Sequence, residues 1–252
     1  MATHGVEFAD VSFTVGGRRI LRDVSLQVEQ GTTTALLGRS GSGKTTLLRT
    51  VNALVRPTSG HVLVDGLDVA REDVIALRRS IGYVIQETGL FPHMTVGRNV
   101  RLPIEISGRL GGHFDDAENG VEEALKSVGL PYSDYGNRYP WQLSGGQRQR
   151  AGVARALVMK PNVLLMDEPF GALDPLTRAE MQTMLRELLM RRKKLTTLIV
   201  THDLEEALYL ADRVVLLDDG AVVADLASSD VRGSSNEAMR AYVAATHREV
   251  TA

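Results

Sequence analysis

Residues Gly38-Arg39-Ser40-Gly41-Ser42-Gly43-Lys44-Thr45-Thr46 follow an apolar run at 32–37 and open a helical pattern at 44–54. The spacing G-x-x-x-x-G-K-S/T carries meaning only between a strand and a helix, and both flanks are present. The glycines let the backbone wrap around an anion so that successive N–H groups, backed by the helix N-terminus, face phosphate oxygens. Lys44, expected on a solvent-facing loop with no core role, suits the β- and γ-phosphates, and Thr45 suits Mg²⁺. Such a loop commits the chain to an α/β architecture.

The rest of the sequence agrees. Strand patterns fall at 5–13, 25–29, 32–37, 61–65 and 81–85, separated by turn signals at Gly16-Gly17, Gln30-Gly31 and 57–60. Later strands at 162–166, 196–201 and 213–218 alternate with helices at 175–192 and 204–210, an order that implies a parallel sheet. Between 87 and 143, Pro92, Pro103, Gly108, Gly111-Gly112 and Pro131 break the chain around helical patterns such as 116–128, and a helix at 145–159 follows. We therefore expect a nucleotide-binding core from 1–86 and 159–227 with an N-terminal antiparallel β subdomain, an inserted helical lobe at 87–158, and a tail of polar loop and amphipathic helix at 228–252.

Composition narrows the partners. Lys and Arg number 29 against 31 Asp and Glu, so no bulk basic field exists to hold nucleic acid. The cationic cluster Arg186, Arg191, Arg192, Lys193 and Lys194 reads as a solvated helix end that complements the dipole. The absence of cysteine excludes disulfides, thiolate metal sites and a cysteine nucleophile. The longest apolar runs have five residues, at 207–211 and 241–245, far short of the roughly 20 needed to cross a bilayer. No secretory signal is visible at the start, so a cytoplasmic location is expected.

Three further segments carry chemistry. Val163-Leu164-Leu165-Met166-Asp167-Glu168 is a buried strand ending in two carboxylates, at the edge where parallel sheets bind ligands. Asp167 suits Mg²⁺, and Glu168 suits the base that polarises an attacking water. Taken alone, such a pair is more often a helix cap or a solvated turn. Leu198-Ile199-Val200-Thr201-His202-Asp203 puts a histidine at the same edge, able to bond a γ-phosphate and hold water. Leu143-Ser144-Gly145-Gly146-Gln147 opens another helix, with Ser144 as N-cap and two glycines expected to leave the helix end bare for a second phosphate. One protomer needs a single such end, so the second is expected to serve a nucleotide bound elsewhere.

GRSGSGKTT, Gln86 after a strand, LSGGQRQR, LLMDEP, GALD and THD together resemble the ATP-binding-cassette (ABC) ATPases, over about residues 5–245. The resemblance implies a P-loop NTPase (RecA-like) core. It also implies a head-to-tail homodimer, in which each ATP lies between the phosphate loop of one cassette and Ser144, Gly145, Gly146 and Gln147 of the other. Gln86 is then the residue that touches Mg²⁺ and the attacking water, and Asp174 of Gly171-Ala172-Leu173-Asp174 crosses the dimer interface. The implied partners are a separate transmembrane permease docked on the 87–143 segment and, indirectly, a substrate-binding protein. The implied location is peripheral, on the cytoplasmic face of the inner membrane.

YVIQETGLFPHMTV and LLMDEPFGALDPLTR resemble most the ATPases of osmoprotectant importers for glycine betaine, choline or proline-type solutes. A lipid-trafficking cassette is the alternative; a soluble cassette acting on DNA or ribosomes is disfavoured by the single cassette and the lack of a coiled coil. Two departures from the family stand out. Val15 occupies the position of an adenine-stacking aromatic, with Phe13 two residues earlier on the same face and expected in the core. No paired regulatory CBS domain follows the cassette within this sequence, so ionic-strength sensing by one is not expected. Trp141, the single tryptophan, is expected to pack within the lobe.

Overall fold

The computed structural model describes residues 4–108 and 114–247. They form two compact units, one from residues up to 77 together with those from 194 onward, the other from 78–193.

In the first unit, β1 (His4–Val15) and β2 (Arg18–Glu29) form a long hairpin. Its turn, Gly16-Gly17, has φ of 56° and 77°, the doubly positive backbone that matches strand twist and that glycine adopts without strain. β4 (Ser59–Val64) pairs with the other side of β1, and β5 (Leu67–Asp68) with β4, giving the antiparallel order β2-β1-β4-β5. The pairing register of β1 slips between Phe8 and Val11, where Asp10 has φ of 50°. This bulge resets the alternation, so that Val6, Phe8 and Val11 are all buried. β2 starts seven residues before the pattern at 25–29, because the exposed charges of Arg18, Arg19, Arg22 and Asp23 hide its alternation.

β3 (Thr33–Leu37) is buried along its whole length and lies parallel to both β8 (Thr196–Val200) and β9 (Arg213–Asp218). β10 (Ala221–Ala227) returns antiparallel on β9 through Asp219-Gly220, both at positive φ. That last strand was not visible as a pattern, because its alternation is carried largely by alanines. Helices α1 (Lys44–Val51), α8 (Leu204–Leu210) and α9 (Glu237–His247) complete the unit. The tail is part of the core here: Val231 and Met239 are fully buried among Leu204, Ala207, Val214 and Ala224, with Tyr242 and Val243 packed against them.

Helix α2 (Val74–Ser80) leads into the second unit, where β6 (Ile81–Val84) pairs in parallel with β7 (Val163–Asp167). The other elements are α3 (Val96–Ile106), α4 (Phe114–Ser127), α5 (Tyr132–Tyr135), α6 (Gly145–Leu157) and α7 (Pro175–Arg191). Helix α6 lies so close to β6 that a side chain on Gly82 would start 2.6 Å from the Ala156 carbonyl oxygen. Glycines Gly111-Gly112 lie outside the described residues.

Pro103, expected to break the chain, stands inside α3. An interior proline costs about 3 kcal/mol. Burial of Val96 and Val100 offsets this, as does Asn99, whose amide donates to the carbonyls of Phe91, Met94 and Thr95 and accepts from Phe91 N–H. Trp141 also differs from expectation. It is 70% exposed and stacks on Tyr139 at 5.9 Å, because Pro140 is the buried member of that short turn.

Candidate functional site

The phosphate loop is shaped by close approaches. A side chain on Gly38, at φ 149°, would start 2.3 Å from the Leu217 carbonyl oxygen, and one on Gly43, at φ 99°, 2.9 Å from that of Ile20. Gly43 is also the N-cap of α1 and offers no side-chain cap, which leaves the first N–H groups of the helix for a ligand. Arg39, Ser40 and Gly41 are exposed at the rim, and Thr45 and Thr46 are half-buried at the helix start.

Lys44 is not on an open loop as expected. It is 5% exposed, and Nζ donates to the carbonyls of Gly38 at 2.8 Å and Arg39 at 2.9 Å. The ammonium thus closes the loop on itself. Ser42 Oγ is buried and makes no hydrogen bond. An unpaired buried hydroxyl costs about 1–3 kcal/mol, a cost that a phosphate oxygen would remove. Ammonium, bare helix end and orphan hydroxyl together fit an oligophosphate.

Strand register puts His202 at the same edge. Leu36 pairs with Val200, and Thr201 N–H donates to the Leu36 carbonyl at 3.1 Å, so Gly38 and His202 both follow just beyond the paired residues. His202 is exposed, and its backbone carbonyl accepts a 2.7 Å bond from the Tyr242 hydroxyl. Burial pushes the Tyr242 phenol up to about 12, with the Asp203 carboxylate adding to the rise and the Arg39 guanidinium opposing it. Tyr242 was not singled out from sequence, since its role comes from contact between segments distant along the chain.

The second unit holds the carboxylates. Asp167 ends β7, 5% exposed, and its Oδ2 accepts from the Tyr83 hydroxyl at 3.3 Å. Glu168 follows at φ 45°, a left-handed backbone that a non-glycine residue adopts at a cost of about 1–3 kcal/mol and that turns its side chain out of the strand alternation. Val84 pairs with Met166, so Gln86 and Glu168 each lie two residues past that pair. Gln86 Nε2 and Glu168 Oε2 lie 3.7 and 3.8 Å from the point where a side chain on Gly171 would begin. An amide and a carboxylate that approach one exposed point are suited to holding a water molecule there.

Ser144 caps α6 as expected. Its Oγ accepts from Gln147 N–H at 3.2 Å, and Gln147 Oε1 accepts from Ser144 N–H at 3.0 Å, a reciprocal box that uses the Gln147 side chain. The two glycines divide the work differently from expectation. A side chain on Gly145 would meet Leu173 at 3.7 Å and the Arg148 guanidinium at 4.0 Å, both ordinary separations, whereas one on Gly146 would strike Thr177 at 2.4 Å, so Gly146 serves the packing of α6 on α7. Asp174 is the N-cap of α7: Oδ1 accepts from Thr177 N–H at 3.1 Å, and the Thr177 hydroxyl and N–H hold this exposed carboxyl below its usual range. Arg191 of the cationic cluster pairs with Glu187 at 3.4 Å. Val15 is 56% exposed beside the hairpin turn, and Phe13 is half-buried rather than in the core.

Residues 21–171 match the family described as ABC transporter. The carnitine transport ATP-binding protein OpuCA of Listeria monocytogenes is 44% identical over 82% of this chain and 51% of its own length. The glycine betaine uptake system ATP-binding protein YehX of Escherichia coli is 44% identical over 86% of this chain and 69% of its own. The sulfate/thiosulfate import ATP-binding protein CysA of Synechococcus elongatus is also 44% identical, over 86% and 61%. The chain therefore spans about half the length of the first of these curated relatives and under three-quarters of the others. Among solved structures, the ATP-binding cassette MJ0796 in a dimeric post-hydrolysis state bound to ADP and Pi superposes with a TM-score of 0.78 at 32% identity, covering 88% of this chain and 98% of that one. CbiO1 of Clostridium perfringens, part of the ABC transporter complex CbiONQ, gives 0.83 at 28% identity over 93% and 92%. With the P-loop NTPase fold and the family match over more than half its length, the chain belongs to the ABC transporter family as an ATP-binding cassette.

Proposed function

We propose that this chain is the ATP-hydrolysing subunit of an ABC importer, working as a homodimer on a separate permease. The observation that carries hydrolysis is the approach of Gln86 Nε2 and Glu168 Oε2 to one point at Gly171. In this reading Lys44, the first N–H groups of α1 and Ser42 Oγ hold the β- and γ-phosphates. Gln86 orients the attacking water, Glu168 accepts its proton, and His202 bonds the γ-phosphate oxygens as charge moves onto them. Thr45 and Asp167 offer the hard oxygen ligands that Mg²⁺ takes alongside phosphate oxygens. When bound, the ion neutralises charge building on the phosphates.

Ser144, Gly145 and the start of α6 meet the γ-phosphate of an ATP held by the phosphate loop of the second copy, and Asp174 lies along the same interface. Superposition with a dimeric cassette supports this arrangement. Among the described residues no helix is long and apolar enough to cross a membrane, and a separate permease would supply the path. The 87–143 segment is the proposed docking surface, with exposed Phe91, Tyr132, Tyr139 and Trp141 to meet the permease. The chain would then sit peripherally on the cytoplasmic face of the inner membrane, with a substrate-binding protein delivering cargo to the permease.

Relatives named for carnitine, glycine betaine and choline transport, at 41–44% identity, support an osmoprotectant cargo. A sulfate-type importer is the second reading, because a cassette named for sulfate/thiosulfate import is also 44% identical. The cassette touches nucleotide and permease rather than cargo, which is why identity here separates the two poorly. The test is phosphate release by the purified chain with MgATP, followed by uptake of labelled betaine and labelled sulfate in vesicles carrying its permease. Absence of ATP-dependent phosphate release, or uptake of sulfate alone, would remove the first reading.

A further inference from the structure

We infer that Tyr242 of the tail helix is a positioning residue for His202, so that α9 helps to set where the histidine stands over the nucleotide. The inference rests on the proposed role of His202 at the γ-phosphate.

The connection from β8 to α8 is only three residues long, and its two ends are fixed locally. Thr201 N–H is tied to the Leu36 carbonyl on β3, Thr201 Oγ accepts from Asp203 N–H at 3.0 Å, and Asp203 Oδ1 caps α8 by accepting from Glu206 N–H at 3.1 Å. His202 is the exposed residue between these anchors. Its carbonyl accepts the Tyr242 hydroxyl at 2.7 Å, the usual length of a well-formed hydroxyl–carbonyl bond, made from a helix 40 positions further along the chain. A bond at the carbonyl restrains the ψ of His202 and with it the direction in which the side chain leaves the backbone.

Tyr242 can act this way because its own helix is fixed. Asn236 opens α9 by accepting from Met239 N–H at 3.0 Å and donating to the Val223 carbonyl of β10 at 2.9 Å. Met239 is fully buried against α8 and β9 residues, and Val243 packs on the same cluster. The phenol also feels the Asp203 carboxylate of the histidine turn, which raises its pKa, and the Arg39 guanidinium, which lowers it. A mere staple for the tail would need packing alone, and Met239 and Val243 already provide it.

The test compares Tyr242→Phe, which keeps the ring and loses the donor, with Val243→Ala, which loosens α9 and keeps the bond. With the full chain and MgATP, Tyr242→Phe is expected to lower kcat about three- to tenfold, the scale of one hydrogen bond, with KM for ATP within about twofold of the parent. Val243→Ala is expected to lower the thermal midpoint and leave kcat unchanged. Parental kcat in Tyr242→Phe would overturn the inference, and so would an equal loss of kcat in Val243→Ala, which would make α9 a structural support only. His202→Ala separates the underlying reading: parental turnover in that variant removes the role of the histidine itself, whereas a dead His202→Ala beside a fully active Tyr242→Phe removes only the role of the tyrosine.

Discussion

Gln86 Nε2 and Glu168 Oε2 both stand within 4 Å of the point from which a Gly171 side chain would project. Neither contact is a clash, since 3.7 and 3.8 Å are ordinary separations for a methyl group. Gly171→Ala should therefore fold and bind ATP normally while its methyl occupies the room meant for water. Hydrolysis should fall by about tenfold, a part of the 10²–10⁴ that a positioned general base supplies. Steady-state phosphate release beside nucleotide titration measures both; unchanged turnover would mean the water is held elsewhere.

Lys44→Ala should abolish hydrolysis. Because the ammonium also bridges the carbonyls of Gly38 and Arg39, the variant should be less stable than the parent even without nucleotide. Two charge-assisted bonds at about 1.5–3 kcal/mol each set the upper bound, reduced because the freed carbonyls regain water. Lys44→Met, which keeps the buried stem, should recover part of the midpoint in a thermal melt and none of the activity.

The contrast between those residues shows what the sequence made legible. The places of Gly38 to Thr46, Asp167, Glu168 and Ser144 were readable because they depend on local spacing next to a strand or helix, and each lies at the predicted element end. The bulge at Asp10, the helix that runs through Pro103, the clash that demands Gly146, and the bond from Tyr242 to His202 are set by partners far along the chain. No window of sequence contains both members of such a pair.

Val15→Tyr should tighten ATP binding. Val15 is 56% exposed beside Gly16-Gly17, so a ring there would meet no core atoms, and stacking on a base contributes roughly 1–3 kcal/mol in nucleic-acid complexes. A fall of at least fivefold in the ATP dissociation constant is expected by calorimetry. No change, together with a large loss in Phe13→Ala, would show that half-buried Phe13 already stacks.

The Tyr242 phenol is held neutral to about 12, above the ordinary 10.0. Between those values the unfolded phenol loses its proton while the folded one keeps it, so this group's share of stability is full below pH 10 and is lost as pH rises towards 12. In absorbance titrations of parent and variant compared side by side, Tyr242→Phe should remove a late-ionising step and flatten the alkaline decline in stability. An alkaline titration left unchanged by Tyr242→Phe would contradict the raised phenol.

Glu168→Gln should convert the protein into an ATP-trapped dimer. The amide preserves the shape beside Gly171 and leaves Asp167 in place, yet it cannot take a proton from water, so the triphosphate persists. Removing one carboxylate near that triphosphate also lessens like-charge repulsion across the interface. Light scattering should give a mass near twice 27.5 kDa with MgATP and a monomer with ADP. Ser144 is exposed at the start of α6, and in the proposed dimer it and Gly145 meet a phosphate held by the second copy. Adding Ser144→Arg should then abolish the dimer by placing a bulky side chain where that phosphate docks, while nucleotide binding by each monomer continues. An ATP-saturated monomer in Glu168→Gln, or a dimer that survives Ser144→Arg, would reject the shared site.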